Sequence, residues 1–271
     1  MNAKLIFSSA ILVAWGALAL IGPWFSPKPN EILLSQILLP PTSHDWLGFD
    51  DYGRPIVDRL LVGARTSFVV AFAVVTVTAL FGTAVGILSA WLGGWWDLVI
   101  VRLIDVFLAF PGMLLAIALA GLLGPGVDNV VIALAAVGWV GFARLARAQT
   151  FSVKEREHVQ AAQSLGVSSL VTVYRHVLPL IMAPLIIEAT FGVAGVVVAE
   201  AGLSFLGLGV QPPTPSWGGM IRDGTRYMLV APHMVIAPGI VMMLVVLAAN
   251  LAGDCMRDKL DVRGLRPPTD R

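Results

Sequence analysis

The chain has 271 residues, 57% of them hydrophobic and 13% charged, with a mean hydropathy of +0.84 and a net charge of +1. A soluble domain carries about a quarter charged residues, so this composition points to an integral membrane protein, and the near-neutral balance suggests no nucleic-acid partner. The single cysteine, Cys255, excludes an intrachain disulfide.

A helix needs roughly 20 apolar residues to cross a bilayer. The first such stretch is Leu5 to Ile21, closed by Gly22-Pro23. Its "ALA" at Ala17 to Ala19 has the pattern of a cleavage site, but the thin basic region before it favours a retained span. An outer segment follows, 23–66, with mixed charge at Asp50, Asp51, Arg54, Asp58, Arg59 and Arg65 suited to polar docking. The second span is expected over Phe68 to Leu92, within a charge-free stretch between Arg65 and Asp97. It carries Gly82 and Gly86 as a GxxxG pair, which either lets a second helix come close or reflects chance in a chain with 27 glycines. The third runs from about Val99 to Leu123, with Arg102 and Asp105 at its start and a kink at Pro111. The fourth covers Val130 to about Ala148, with Arg144 and Arg147 reaching for headgroups.

A polar hairpin then interrupts the apolar pattern, expected over 152–178. In its first helix His158, Ala161, Ala162 and Leu165 share a face by i, i+3, i+4, i+7 spacing, opposite Glu157, Gln160 and Ser164. Gly166 is placed to end that helix and Ser168 to cap the next. Leu170, Val173, Tyr174 and Val177 form a second apolar stripe, and Leu178-Pro179 breaks the helix where the membrane resumes. Spacing alone leaves two readings of this hairpin: a loop packed on its own spans, or a docking element for a cytoplasmic partner.

The fifth span runs from about Leu178 to Ala199 and holds Glu188; Glu200 opens an outer segment rich in glycine and proline, expected to be partly re-entrant or to lie on the surface. The sixth span is Met234 to Gly253, followed by a tail, 255–271. Six transmembrane helices make the expected fold all-α, with a core over 67–254 and both termini on one side. With the N-terminus inside, twelve lysines and arginines fall inside and six outside, so both termini and the hairpin are expected in the cytoplasm.

The hairpin's "QAAQSLG", followed nine residues on by "HVLP", resembles the EAA motif of bacterial ABC-importer permeases. Ala161, Ala162, Gly166, Leu178 and Pro179 match, while Gln160 stands for the usual glutamate and His176 for isoleucine. "DWLGFDDYGRPIVDRLLVGARTSF", from Asp45 to Phe68, is similar to a signature of the peptide/nickel branch, with Phe49 and Pro55 as departures. "AEAGLSFLGLGVQPPTPSWGGMI" and "NLAGDCMRDKLDVR" resemble two further stretches of that branch, in the same order.

The resemblance implies a type I ABC-importer permease fold and a second-permease subunit in a bacterial inner membrane. Its hairpin would be a coupling helix seated on an ATPase through His158, Gln160, Ala161, Ala162, Leu165, Gly166 and Ser168. It further implies a homologous second permease, two ATP-binding subunits or domains that hold ATP and Mg, and an extracytoplasmic substrate-binding protein. Glu188, Glu200, Phe205 and Leu206 are assigned to the translocation path or gate, and Asp50, Arg54 and Arg59 to binding-protein or partner contact. The cargo is expected to be a peptide, with nickel or a metal chelate as the alternative.

What the sequence lacks fits that division of labour. No G-x4-G-K-[ST] loop cradles phosphates, and no catalytic constellation is visible, so no catalytic residue, bound cofactor or metal site is assigned to this chain. His44, His158, His176 and His233 show no metal-ligand spacing. A self-sufficient secondary transporter would predict half-to-half repeats, and none is visible.

Overall fold

The computed structural model describes residues 3–25, 29–43 and 45–261. Lys28, His44, Arg263, Arg266 and Arg271, which enter the charge and metal arguments, lie outside them. In lipid a backbone must satisfy its own hydrogen bonds, and the described chain is accordingly helical. Its elements are α1 (Ala3–Phe25), α2 (Ile56–Leu92), α3 (Gly94–Leu108), α4 (Gly112–Leu123), α5 (Val127–Lys154), α6 (Glu157–Ser164), α7 (Ser169–Thr172), α8 (Leu178–Phe205), α9 (Trp217–Thr225) and α10 (His233–Asp261).

Among the described residues, five helices are long and apolar enough to cross a membrane, and a sixth crossing is made if α3 and α4 count as one bent pair. That pair departs from the expected kinked span. The two helices meet at 85°, because Pro111 disfavours a helical Phe110 and itself takes extended ψ (φ −59°, ψ 120°) before α4 restarts.

Helix α2 begins about three turns earlier than expected, at Ile56. Its charges suggested a loop. In fact Ile56, Leu60, Gly63, Ala64 and Ser67 are buried along one face, while the loop before it supplies polar partners. Helix α2 is the spine of the fold and packs most extensively on α5. Gly82 and Gly86 make this possible. A Cβ on Gly82 would collide with the Trp139 carbonyl, and one on Gly86 with the Ala143 carbonyl. The GxxxG pair is therefore an interface and not chance.

Near Pro179 the chain does not break. The missing proline N–H and the bulk of its ring are absorbed by a π-helical turn over Val173–Val177. Helix α7, this turn and α8 run on as one 37-residue rod, Ser169–Phe205. One end is closed by a core of Trp15, Ile56, Leu60, Trp217 and Met234. At the other end, Val159 and Val177 of the hairpin pack with Phe142, Val153 and Ile181.

Candidate functional site

The hairpin is built on a well-closed turn. Helix α6 ends in a Schellman pattern: the Val167 N–H donates to the Ala162 carbonyl (3.1 Å) and the Gly166 N–H to the Gln163 carbonyl (3.0 Å). Gly166 sits at φ +80° with open space where a Cβ would be, so its requirement is conformational and not steric. Ser168 holds the N-cap position of α7, but its hydroxyl makes no capping bond. Its carbonyl instead accepts from the Thr172 N–H (2.9 Å) and hydroxyl (3.1 Å).

The structure splits both expected stripes. Ala162 turns inward with Val159, while His158, Ala161 and Leu165 face out. Val177 is buried and Val173 partly so, while Leu170 and Tyr174 are exposed. Inward packing is thus carried by Val159, which sequence spacing had left on no apolar face. The outward residues form an apolar ridge: Leu165 is 84% exposed, Leu170 83% and Tyr174 75%. The Gln160 amide donates to the Glu155 carbonyl (3.3 Å), closing the end of α5, which a glutamate at that position could not do. Across the hairpin the His158 and His176 rings lie 6.2 Å apart.

Beneath the hairpin, a polar clamp missed by the sequence reading joins α2, α3 and α5. Arg147 does not reach outward. It makes a bidentate pair with Asp97 (2.6 and 2.7 Å), to which Ser89 also donates (2.5 Å). Lys154 donates to the Ala90 and Trp91 carbonyls at the end of α2 (3.3 and 3.0 Å). Fifty residues separate Arg147 from Asp97, and no local spacing signals the pair. Arg147→Ala is expected to cost about 1–3 kcal/mol by stranding a half-buried carboxylate. Thermal unfolding in detergent checks this, and combining it with Asp97→Asn should cost less than the sum of the two.

At the end of the bundle away from the hairpin, Asp50 organises a buried charge cluster. It accepts the Tyr52 and Arg54 N–H groups (both 2.9 Å) and pairs with the Arg54 and Arg59 side chains (2.7 and 3.3 Å). Those arginine side chains are only 10% and 6% exposed. They stand behind a polar pocket of about 270 Å³, whose rim includes Arg222, Asp223 and the exposed Arg226. Burial, and secondly Asp50, raise the Asp51 carboxyl above its ordinary 3.8 against the pull of Arg54. An acid raised in this way favours folding below its folded pKa and loses that advantage as pH rises through it. Asp51→Asn is therefore expected to leave the melting temperature at pH 7 unchanged or higher, and a clear drop would contradict the burial argument.

Glu200 lies inside α8 and not at the start of the outer segment. It is fully buried, accepting from Ser204 (2.7 Å) and Ser67 (3.2 Å). Ser204 in turn accepts the Val210 N–H (3.2 Å), tying the irregular return 206–216 to α8 and α2. That return leads to α9, which buries Trp217 against α2, its indole donating to the Leu60 carbonyl (3.2 Å). Phe205 and Leu206 are exposed at the end of α8. Glu188 borders a separate cavity of about 270 Å³ between α2, α4, α5 and α8. The four gate assignments are therefore not brought to one place.

Residues 82–263 match the model of the family described as the binding-protein-dependent transport system inner membrane component. The chain belongs to that family. This permease is 40% identical over 261 residues to the dipeptide transport system permease DppC of Alkalihalophilus pseudofirmus, covering 96% of the chain and 86% of that relative. It is also 40% identical over 245 residues to the glutathione transport system permease GsiD of Escherichia coli, covering 90% and 81%. Its fold matches a chain of the MetNI methionine ABC transporter solved in inward-facing conformations, with a TM-score of 0.63 over 75% of the permease and 97% of that chain, at 15% identity. The permease is thus a multi-pass, non-catalytic membrane subunit of an ABC importer, and ATP hydrolysis resides in a separate subunit.

Proposed function

We propose that the permease forms half of the translocation path of an ATP-driven importer of short peptides and couples to its motor through the hairpin. The observation that carries this reading is the exposed apolar ridge of Leu165, Leu170 and Tyr174 on a turn fixed by Gly166. Such a ridge beside a polar helix face suits the groove of a partner protein. Ala161, outward on α6 one turn before Leu165, allows close approach, and Gln160, Ala162 and Ser168 hold the backbone that presents it.

In this reading the hairpin and both termini are cytoplasmic, as the lysine and arginine distribution supports. Two ATPase subunits or domains bind ATP and Mg, and a homologous second permease completes the path. The extracytoplasmic binding protein docks on the opposite side. Asp50, Arg54 and Arg59 serve that docking as the buried frame of the outer pocket, while Arg222 and Arg226 at its rim make the contact. Closure of the ATPases on ATP favours one of two arrangements of the helices and so alternates access.

The relatives' names favour a dipeptide or glutathione as cargo. Reconstituting the permease with its partner subunits and binding protein, and measuring ATP-dependent uptake of alanyl-alanine against glutathione, separates the two. Uptake by the permease alone, with no ATPase present, would falsify the proposal.

A further inference from the structure

Glu188 lies at the middle of a membrane-crossing helix, yet no described residue neutralises it. It is partly buried, and among the described residues it has no hydrogen-bond or ion-pair partner. Its Oε1 is directed at α5, where a Cβ on Gly141 would stand 3.1 Å away. A bare carboxylate in apolar surroundings is costly and is retained where something else compensates it.

The cavity beside it narrows the choice. An open cleft of about 270 Å³ is lined by apolar and small residues, including Gly112, Gly138, Gly192 and Gly195. Among the described residues, Glu188 is the one charged group lining it, and Thr78 the one other polar side chain. The Thr78 hydroxyl already donates to the Val74 carbonyl (2.8 Å). No free donor is left for an anion, and a single acceptor is left for a cation. The volume falls just below the roughly 300–1,000 Å³ of a complete small-molecule site, as fits a path shared with a second subunit. Each peptide named for the two relatives carries a primary ammonium.

We infer that Glu188 receives the ammonium group of the passing cargo and discriminates for it. This rests on the peptide-import reading above. Gly195, with open space where a Cβ would stand, leaves room for the group to move past once access alternates.

The test uses the whole importer in proteoliposomes, with both permeases, ATPase subunits and binding protein, and alanyl-alanine and glutathione as probes. Glu188→Gln is expected to lower uptake at least tenfold while binding-protein-stimulated ATP hydrolysis and co-purification of the second permease stay within twofold of wild type. Glu188→Asp, which keeps the charge, should recover uptake toward wild type. A fall smaller than tenfold, equal loss in both variants, or a matching loss of ATP hydrolysis or assembly overturns the inference. If the wild-type importer takes up neither probe, the peptide reading itself fails, and the role of Glu188 falls with it.

Discussion

An aspartate at Ala161 is expected to stop import while the permease remains in the membrane at its normal level. Ala161 faces outward on α6 beside Leu165, and the residues that hold the hairpin against the spans, Val159 and Ala162, point the other way. The substitution therefore leaves the fold's own contacts alone. In the proposed seating it forces a carboxylate into a desolvated apolar contact, at a cost of several kcal/mol. At 1.4 kcal/mol per decade this lowers the population of the seated state by about two to three orders of magnitude. Uptake assays with a membrane-level blot check the result, with Gln163→Asp, on an exposed position of the same helix, as the control that transports normally. Gly166→Val should act in the same direction by another route. Valine at φ +80° opens the Schellman turn, at a cost of about 1–2 kcal/mol, and turns the ridge away.

Gly86→Leu is expected to leave little folded permease to assay. The obstacle is backbone, the Ala143 carbonyl, with the Ala146 methyl and Arg147 amide close behind. Side chains can rotate away from an intruder, but two helix backbones can only separate. Overpacking of a core costs about 1–3 kcal/mol where side chains yield, so the cost here should lie at or above the top of that range. Separation of α2 from α5 also strains the chain from Ser89 on α2 through Asp97 on α3 to Arg147 on α5, which closes the same interface one turn on. Detergent melting curves and membrane accumulation read the effect. Gly121→Ala, with open space around its Cβ, should be neutral. Survival of Gly86→Leu at wild-type level would show that the α2–α5 approach is not needed.

Much of this molecule was legible because lipid permits so few structures. Runs of apolar residues had to be helices, and the positions of the spans followed from length. Charge misled where the fold supplied partners: Asp58 and Arg59 read as loop, yet open α2, because Asp50 receives Arg59. Proline gave opposite outcomes at two sites. Pro111 turned the chain through 85°, while Pro179 was taken up by a wider turn, a choice set by neighbours and not by the residue itself. At the hairpin, the turn chemistry of Gly166 was local and readable, whereas the division of its faces depended on what lies behind Val159. The Asp97–Arg147 clamp and the Glu200–Ser67 bond join residues 50 and 133 positions apart, and no short pattern announces them.

The unbroken rod from Ser169 to Phe205 has a mechanical meaning. Its 37 residues span about 55 Å at 1.5 Å per residue. It carries the second arm of the hairpin at one end and the return segment pinned by Ser204 at the other. A continuous helix of that length turns a tilt of about 5° at one end into a swing of about 5 Å at the other. A helix broken at Pro179 would have lost that motion at the joint.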